Sequence, residues 1–375
     1  MPPTDRHRVP RRLAMPTASP RATRYQRLAL THALMAAGDA AMAVALANSL
    51  FLSISPDAAR SRVLLFLGVS VAPFAIVAPL IGPAIDRMAG GRRLVVQSVA
   101  LARIAIAVLM ALTLDSLLLF PLAFAAMVLQ KTYLVSKSAL VPSVVSNDME
   151  LVEANSKLGI ISGVVGFAAA VPAGLLQLVS GPLAMLFDAL VFFAAYVAAT
   201  QLPREVVARD AAGRAEQAEL RSVAVVLAAS AMGLLRASVG FLFFHLAFWL
   251  RNQQAGTVWF GAGVSFAALG TMIGNSIGPR LRRAVREEIM LIFALCFVAV
   301  SGAVSAVFAS ILNALLLMAA TNFGAVGKLG FDAIVQRYAP DANQGRAFAQ
   351  FETRFQLAWV AAGIVPVVLT IPGWL

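Results

Sequence analysis

The chain has 375 residues, 60% of them hydrophobic and only 13% charged, with a mean hydropathy of +0.82. A soluble fold of that balance would leave large apolar patches facing water, whereas eleven bilayer-spanning helices of about 20 residues each absorb nearly all of the apolar content. The formal net charge of +12 would suggest nucleic acid in a soluble chain. In a membrane chain it is first weighed against the enrichment of Lys and Arg in cytoplasmic loops.

Residues 1–27 hold seven arginines and one acid with no apolar stretch, so they read as a basic, disordered cytoplasmic tail rather than a signal peptide. Apolar runs follow at 28–52, 63–84, 94–114, 117–138, 156–178 and 182–202. After a charged stretch they resume at 222–250, 256–278, 289–308, 310–330 and 348–371. The expectation is an all-α polytopic membrane protein of two bundles, six helices over 28–202 and five over 222–375, joined by a cytoplasmic linker over 203–221. With the N-terminus inside, the inner loops collect most loop arginines, among them Arg87, Arg92, Arg93, Arg204 and Arg286, and the outer loops only Arg60, Arg62 and Arg251. That asymmetry fixes an N-in orientation and accounts for the basic excess without nucleic acid.

Outer connections such as Asp115-Ser116 and Ser180-Gly181 are too short for an inserted catalytic domain. The histidines, His7, His32 and His245, are far apart in sequence. A membrane-embedded enzyme thus lacks its residues, and neither a metal nor a cofactor is implied. Cys296 lies in an apolar run and reads as a packed core residue. Tyr133, Trp249 and Trp374, near run ends, read as interfacial aromatics.

Ionisable residues at membrane depth are costly and default to functional candidates. Asp39 and Arg236 sit near the middle of the first and seventh runs, and form the candidate substrate or proton site. Asn48 and His245, nearer the outer ends of the same runs, are possible gate or cavity residues. So are Lys328 and Asp332, spaced i, i+4 at the inner end of the tenth run, although an ordinary interfacial salt bridge also explains them. Arg103 and Asp188 read as a structural pair. Glu352, early in the eleventh run, reads as an acid favoured by a helix N-terminus. Small residues Gly159, Gly163, Gly166 and Gly174 at three- and four-residue spacing suit close helix approach.

Two short echoes point to a tandem repeat. Ile81-Gly82-Pro83 with Asp86-Arg87 returns 196 positions later as Ile277-Gly278-Pro279 with Arg282-Arg283, and Ala139-Leu140-Val141 returns 194 positions later as Ala333-Ile334-Val335. Asp39 and Arg236 are related by 197 positions, as are Asn48 and His245. The two polar positions of the first run therefore land on those of the seventh, and Asp39 and Arg236 are expected to face each other across a central cavity.

The stretch from Gly82 through Asp86 and Arg87 to Arg92-Arg93 resembles the loop between helices two and three of the Major Facilitator Superfamily. Lys137 through Pro142 and Gly345-Arg346 resemble loops of its bacterial drug- and siderophore-exporter-like members. The resemblance implies a twelve-helix transporter, of which the eleven runs would lack the last. It further implies a bacterial inner-membrane location, a small organic substrate exported against proton entry, and a monomer. Gly82, Asp86, Arg87, Arg92 and Arg93 would then form the cytoplasmic gate motif. The rival readings are a truncated, non-transporting or sensor-like relative, and a membrane-embedded enzyme.

Overall fold

The computed structural model describes residues 23–46, 72–73, 91–145, 150–203, 222–252, 256–308, 310–338 and 344–369. Among them the regular structure is helical throughout. The helices are α1 (Arg24–Leu46), α2 (Gly91–Leu112), α3 (Leu119–Leu140), α4 (Glu150–Val179), α5 (Gly181–Ala199) and α6 (Val223–Asn252). They continue as α7 (Gly256–Ala284), α8 (Glu287–Val307), α9 (Ile311–Phe323), α10 (Ala325–Tyr338) and α11 (Gln344–Val368). Eight segments among the described residues are long and apolar enough to cross a membrane, with α9 and α10 counted as one. Nearly all of the second expected run, most of the tail and nearly all of the linker lie outside the described residues.

The helix starts follow local chemistry. Thr23 and Gln26 form a reciprocal capping box for α1: the Gln26 amide donates to Thr23 Oγ1 at 3.2 Å and the Thr23 amide to Gln26 Oε1 at 2.7 Å. Ser180 caps α5 through the Leu183 amide and Ser310 caps α9 through the Asn313 amide.

Four expected boundaries move. α7 runs past Gly278 and through Pro279 to Ala284, so Arg280, Arg282 and Arg283 are helical rather than in a loop. The tenth run continues to Tyr338, which places Ala333-Ile334-Val335 inside a helix. α11 begins at Gln344, so Glu352 stands two turns beyond the helix N-terminus. Arg92 and Arg93 belong to the first turn of α2. Hydropathy marks where a helix is apolar, and these helices extend into polar sequence: the added ends of α10 and α11 pack against neighbours, whereas Arg280 and Arg283 of α7 are exposed.

α1 packs on α4 and α5, α2 on α5, and α3 on α2, whereas α6 packs on α11, α7 on α9, and α8 on α10. The α1–α4 pair joins the first and fifth runs; α6–α11 joins the seventh and eleventh. That is the same step in each half. Both α4 and α11 also carry an interior proline, Pro172 and Pro366, 194 positions apart, the spacing of the sequence echoes.

The outward surface is apolar. Leu101, Phe167, Leu178, Leu190 and Val300 are all more than half exposed, the pattern of helices whose outer faces meet lipid. Cys296 joins this face. It is exposed rather than packed in the core, because the buried stripe of α8 runs through Leu291, Ala294 and Val298 and Cys296 falls between those positions.

Candidate functional site

A cavity of about 280 Å³ opens between the two halves. Lys137 of α3, Ser162 of α4, Arg236 of α6, Thr271 of α7 and Lys328 and Asp332 of α10 contribute to its lining. At one end it is bolted shut. Asn155 Nδ2 donates to Gln336 Oε1 at 2.7 Å, and Gln336 Nε2 donates to the Ser138 carbonyl at 2.9 Å. Both bonds cross from the first half to the second. A third crossing bond runs from Ser156 Oγ to the Asn275 carbonyl.

The sequence builds this third bond from two features. Pro279 has no N–H, so the carbonyl four residues before it, that of Asn275, loses its helical donor. In a membrane such a group must find another partner, and the Ser156 hydroxyl supplies it. Gly159, one turn along α4, lets the Asn275 side chain lie directly against the backbone, where a Cβ would overlap it. Gly163 then faces Met272, while Gly166 and Gly174 face Ala40 and Val44 of α1. The glycine ladder therefore serves two neighbours, one in each half.

Lys328 is the centre of the charge cluster in the second half. Its Nζ donates to Asp332 Oδ1 and to Glu352 Oε1, each at 2.5 Å. The i, i+4 pair expected at the membrane interface thus faces the cavity and recruits a second carboxylate from α11. The tenth run is broken just before Lys328. Gly324 ends α9, and the amides of Gly327 and Lys328 bond to its carbonyl as α10 begins. Thr321, Asn322 and Gly324 at this break line the cavity. Irregular backbone at membrane depth occurs where it borders a cavity or is buried in protein.

Asp39 and Arg236 do not form the expected pair. Arg103 Nη2 donates to Asp39 Oδ1 at 2.7 Å, and Nη1 to the Ala126 carbonyl at 2.8 Å. The guanidinium carbon lies 4.4 Å from the Phe192 ring centroid. Asp188, the expected partner of Arg103, is fully buried beside this pair, with neither carboxylate oxygen hydrogen-bonded. Arg236 instead lines the central cavity. The two positions are 197 apart in the sequence, but α1 and α2 both pack on α5, and the arginine of α2 takes Asp39 within the same bundle.

His245 belongs to a different space. With Phe241, stacked on it at 5.3 Å between centroids, it lines a cavity of about 440 Å³ between α6, α8 and α9. Arg93 Nη2 donates to the Thr200 carbonyl at 2.5 Å, and Arg27 and Gln97 donate to the carbonyls of Gln201 and Ala199. Arg93 thus sits at the negative end of α5. Arg92 is buried in the same first turn of α2. Asn48, Gly82, Asp86 and Arg87 lie outside the described residues.

Sequence reasoning gave His32 no role and placed Tyr133 at the membrane interface. His32 Nδ1 is 2.9 Å from the Tyr133 hydroxyl and its Nε2 is 2.7 Å from Ser162 Oγ. Tyr133 is buried rather than interfacial. Lys131 and Lys137 were also missed, although each stands inside the fourth apolar run and the rule that singled out Asp39 applies to them equally.

Two packed helical halves, a broken helix and a polar cavity between them define a membrane transporter fold. The sequence pattern of the Major Facilitator Superfamily matches residues 28–363, and the chain belongs to that family. It is 30% identical to protein ML2143 of Mycobacterium leprae over 90% of its own length and 65% of that protein's, so it spans about two thirds of this relative. It superposes on a bacterial homologue of the iron transporter ferroportin in the outward-facing state (TM-score 0.69, 19% identity, 93% of each chain). It also superposes on the human organic anion transporter MFSD10 (TM-score 0.67, 16% identity, 92% of each chain). At these identities the two structures establish a shared fold.

Proposed function

We propose that the chain is a secondary active transporter in a bacterial inner membrane, exporting a small organic molecule by alternating access in exchange for protons. The observation that carries this reading is the cavity closed at one end by bonds that cross between the halves. Asn155, Ser156, Gln336 and Ser138 make the bolt, while Ser162, Lys328 and Asp332 lie deeper on the same helices. Breaking a bolt of three hydrogen bonds and forming contacts at the other end is what rocking one bundle against the other requires.

With the N-terminus and the 203–221 linker in the cytoplasm, the bolted end is the inner one and the conformation is outward-facing. The drug- and siderophore-exporter-like motifs favour the export direction. Proton coupling falls to the carboxylates. Asp332 and Glu352 share one lysine, so neutralising either still leaves Lys328 paired, and the cluster can carry a proton without stranding a charge.

Proteoliposomes containing the full chain, loaded with a panel of small organic compounds and given an imposed pH gradient, test the reading. Gradient-dependent movement of at least one compound, collapsing when a protonophore is added, is expected. Movement that ignores the gradient removes the proton coupling; no movement of any compound removes the transporter reading.

A further inference from the structure

The central cavity holds more positive charge than its carboxylates balance. Lys137, Arg236 and Lys328 line it beside Asp332, and Glu352 adds one further carboxylate behind Lys328. Both carboxylates are bound to Lys328. Arg236 and Lys137 have no hydrogen-bond or ion-pair partner among the described residues, and Arg236 Nε is buried without an acceptor. Asp39, the carboxylate of the first run, is already taken by Arg103. Unbalanced cations at membrane depth are expensive, and an incoming anion removes that cost. The walls between the charges are apolar, from Leu134, Met232, Leu235 and Val239. At about 280 Å³ the space falls just below the range of drug-sized sites.

We infer that the molecule carried by this cavity is a small organic anion, its apolar body against Met232 and Leu235 and its acidic group on Arg236, with Lys137 supplying further positive potential. A guanidinium presents paired donors in a plane, the geometry that carboxylate, sulfonate and phosphate oxygens accept. The inference rests on the transport reading, but it concerns what binds and is tested by binding.

The full chain, purified in a neutral detergent, is heated with four probes of similar shape: benzoate, benzenesulfonate, benzamide and benzyltrimethylammonium. A ligand that binds the folded state raises the unfolding temperature. The acidic pair should raise it at millimolar concentration and the neutral and cationic probes should not. Arg236→Gln should weaken the acidic probes by at least about tenfold, Lys137→Gln should weaken them less, and Arg236→Glu should transfer binding to benzyltrimethylammonium. A shift by benzamide equal to that by benzoate overturns the inference. So does the absence of any shift by both acidic probes, or acidic binding unchanged in both glutamine variants. Flux in proteoliposomes separates the two readings. An anion bound but never moved leaves the site and removes transport, whereas a neutral compound moved in preference to anions does the reverse.

Discussion

The Ser156 hydroxyl bonds to the carbonyl of Asn275, the one carbonyl that Pro279 leaves without its helical donor. A helix irregularity in one half of the protein is thereby answered by a side chain from the other. With Asn155 and Gln336 it forms the bolt that holds one end of the cavity closed.

Weakening that bolt should shift the conformational balance. A hydrogen bond contributes about 1 kcal/mol net, which is about a fivefold change in a two-state ratio. Ser156→Ala and Asn155→Ala are each expected to lower the ratio of closed to open molecules by about that factor. Pro279→Ala, which returns a helical donor to Asn275, should act in the same direction. Spin-label distances between the ends of α4 and α10 read the ratio. Unchanged distances in all three variants would show that these bonds do not set it.

Most helices were legible in the sequence because lipid imposes a long apolar run on each span. The repeat was legible because the two halves carry matching short motifs. Charge pairing was not. The 197-residue offset pairs Asp39 with Arg236, yet the partner of Asp39, Arg103, comes from α2, and only the packing of α1 and α2 on the shared neighbour α5 decides that. Gln336 and Asn155 gave no signal either, since a single amide 181 positions from its partner looks like any other polar residue at a helix end.

Gly159 should tolerate no side chain of size. A Cβ there meets the end of the Asn275 side chain, so Gly159→Val must displace that side chain from α4, at about 1–3 kcal/mol for overpacking, and should reduce transport while the protein still inserts. Gly233 has open space around its Cβ position, and Gly233→Ala is expected to leave transport and unfolding temperature unchanged. Flux measured on both variants in parallel checks the contrast, and equal effects would dissociate the glycine from helix approach.

Asp39 and Arg103 should behave as one unit. Arg103 is almost entirely buried, and its removal strands a carboxylate inside the bundle, an error that costs about 3–5 kcal/mol. Arg103→Leu and Asp39→Asn are each expected to destabilise the fold, but the double variant should lose far less than the two losses combined. Thermal unfolding in detergent supplies the cycle. Effects that add within about 0.5 kcal/mol would mean that the two side chains do not interact.

Lys328 offers the sharpest test of the cavity charges, because its two carboxylates are redundant for pairing but come from different helices. Asp332 lies one turn away on α10, whereas Glu352 reaches in from α11. Asp332→Asn and Glu352→Gln each leave Lys328 one anionic partner, so each single variant should insert and retain most of its stability. The double variant leaves a lysine at membrane depth with neither, and should fall by clearly more than the sum of the two single changes. Lys328→Met in the double background removes the stranded charge, and should recover stability without recovering gradient-driven flux. Flux and unfolding temperature measured on all four variants separate the two roles. If the triple variant transports as the native chain does, Lys328 and its carboxylates hold the helices together and take no part in moving substrate or protons.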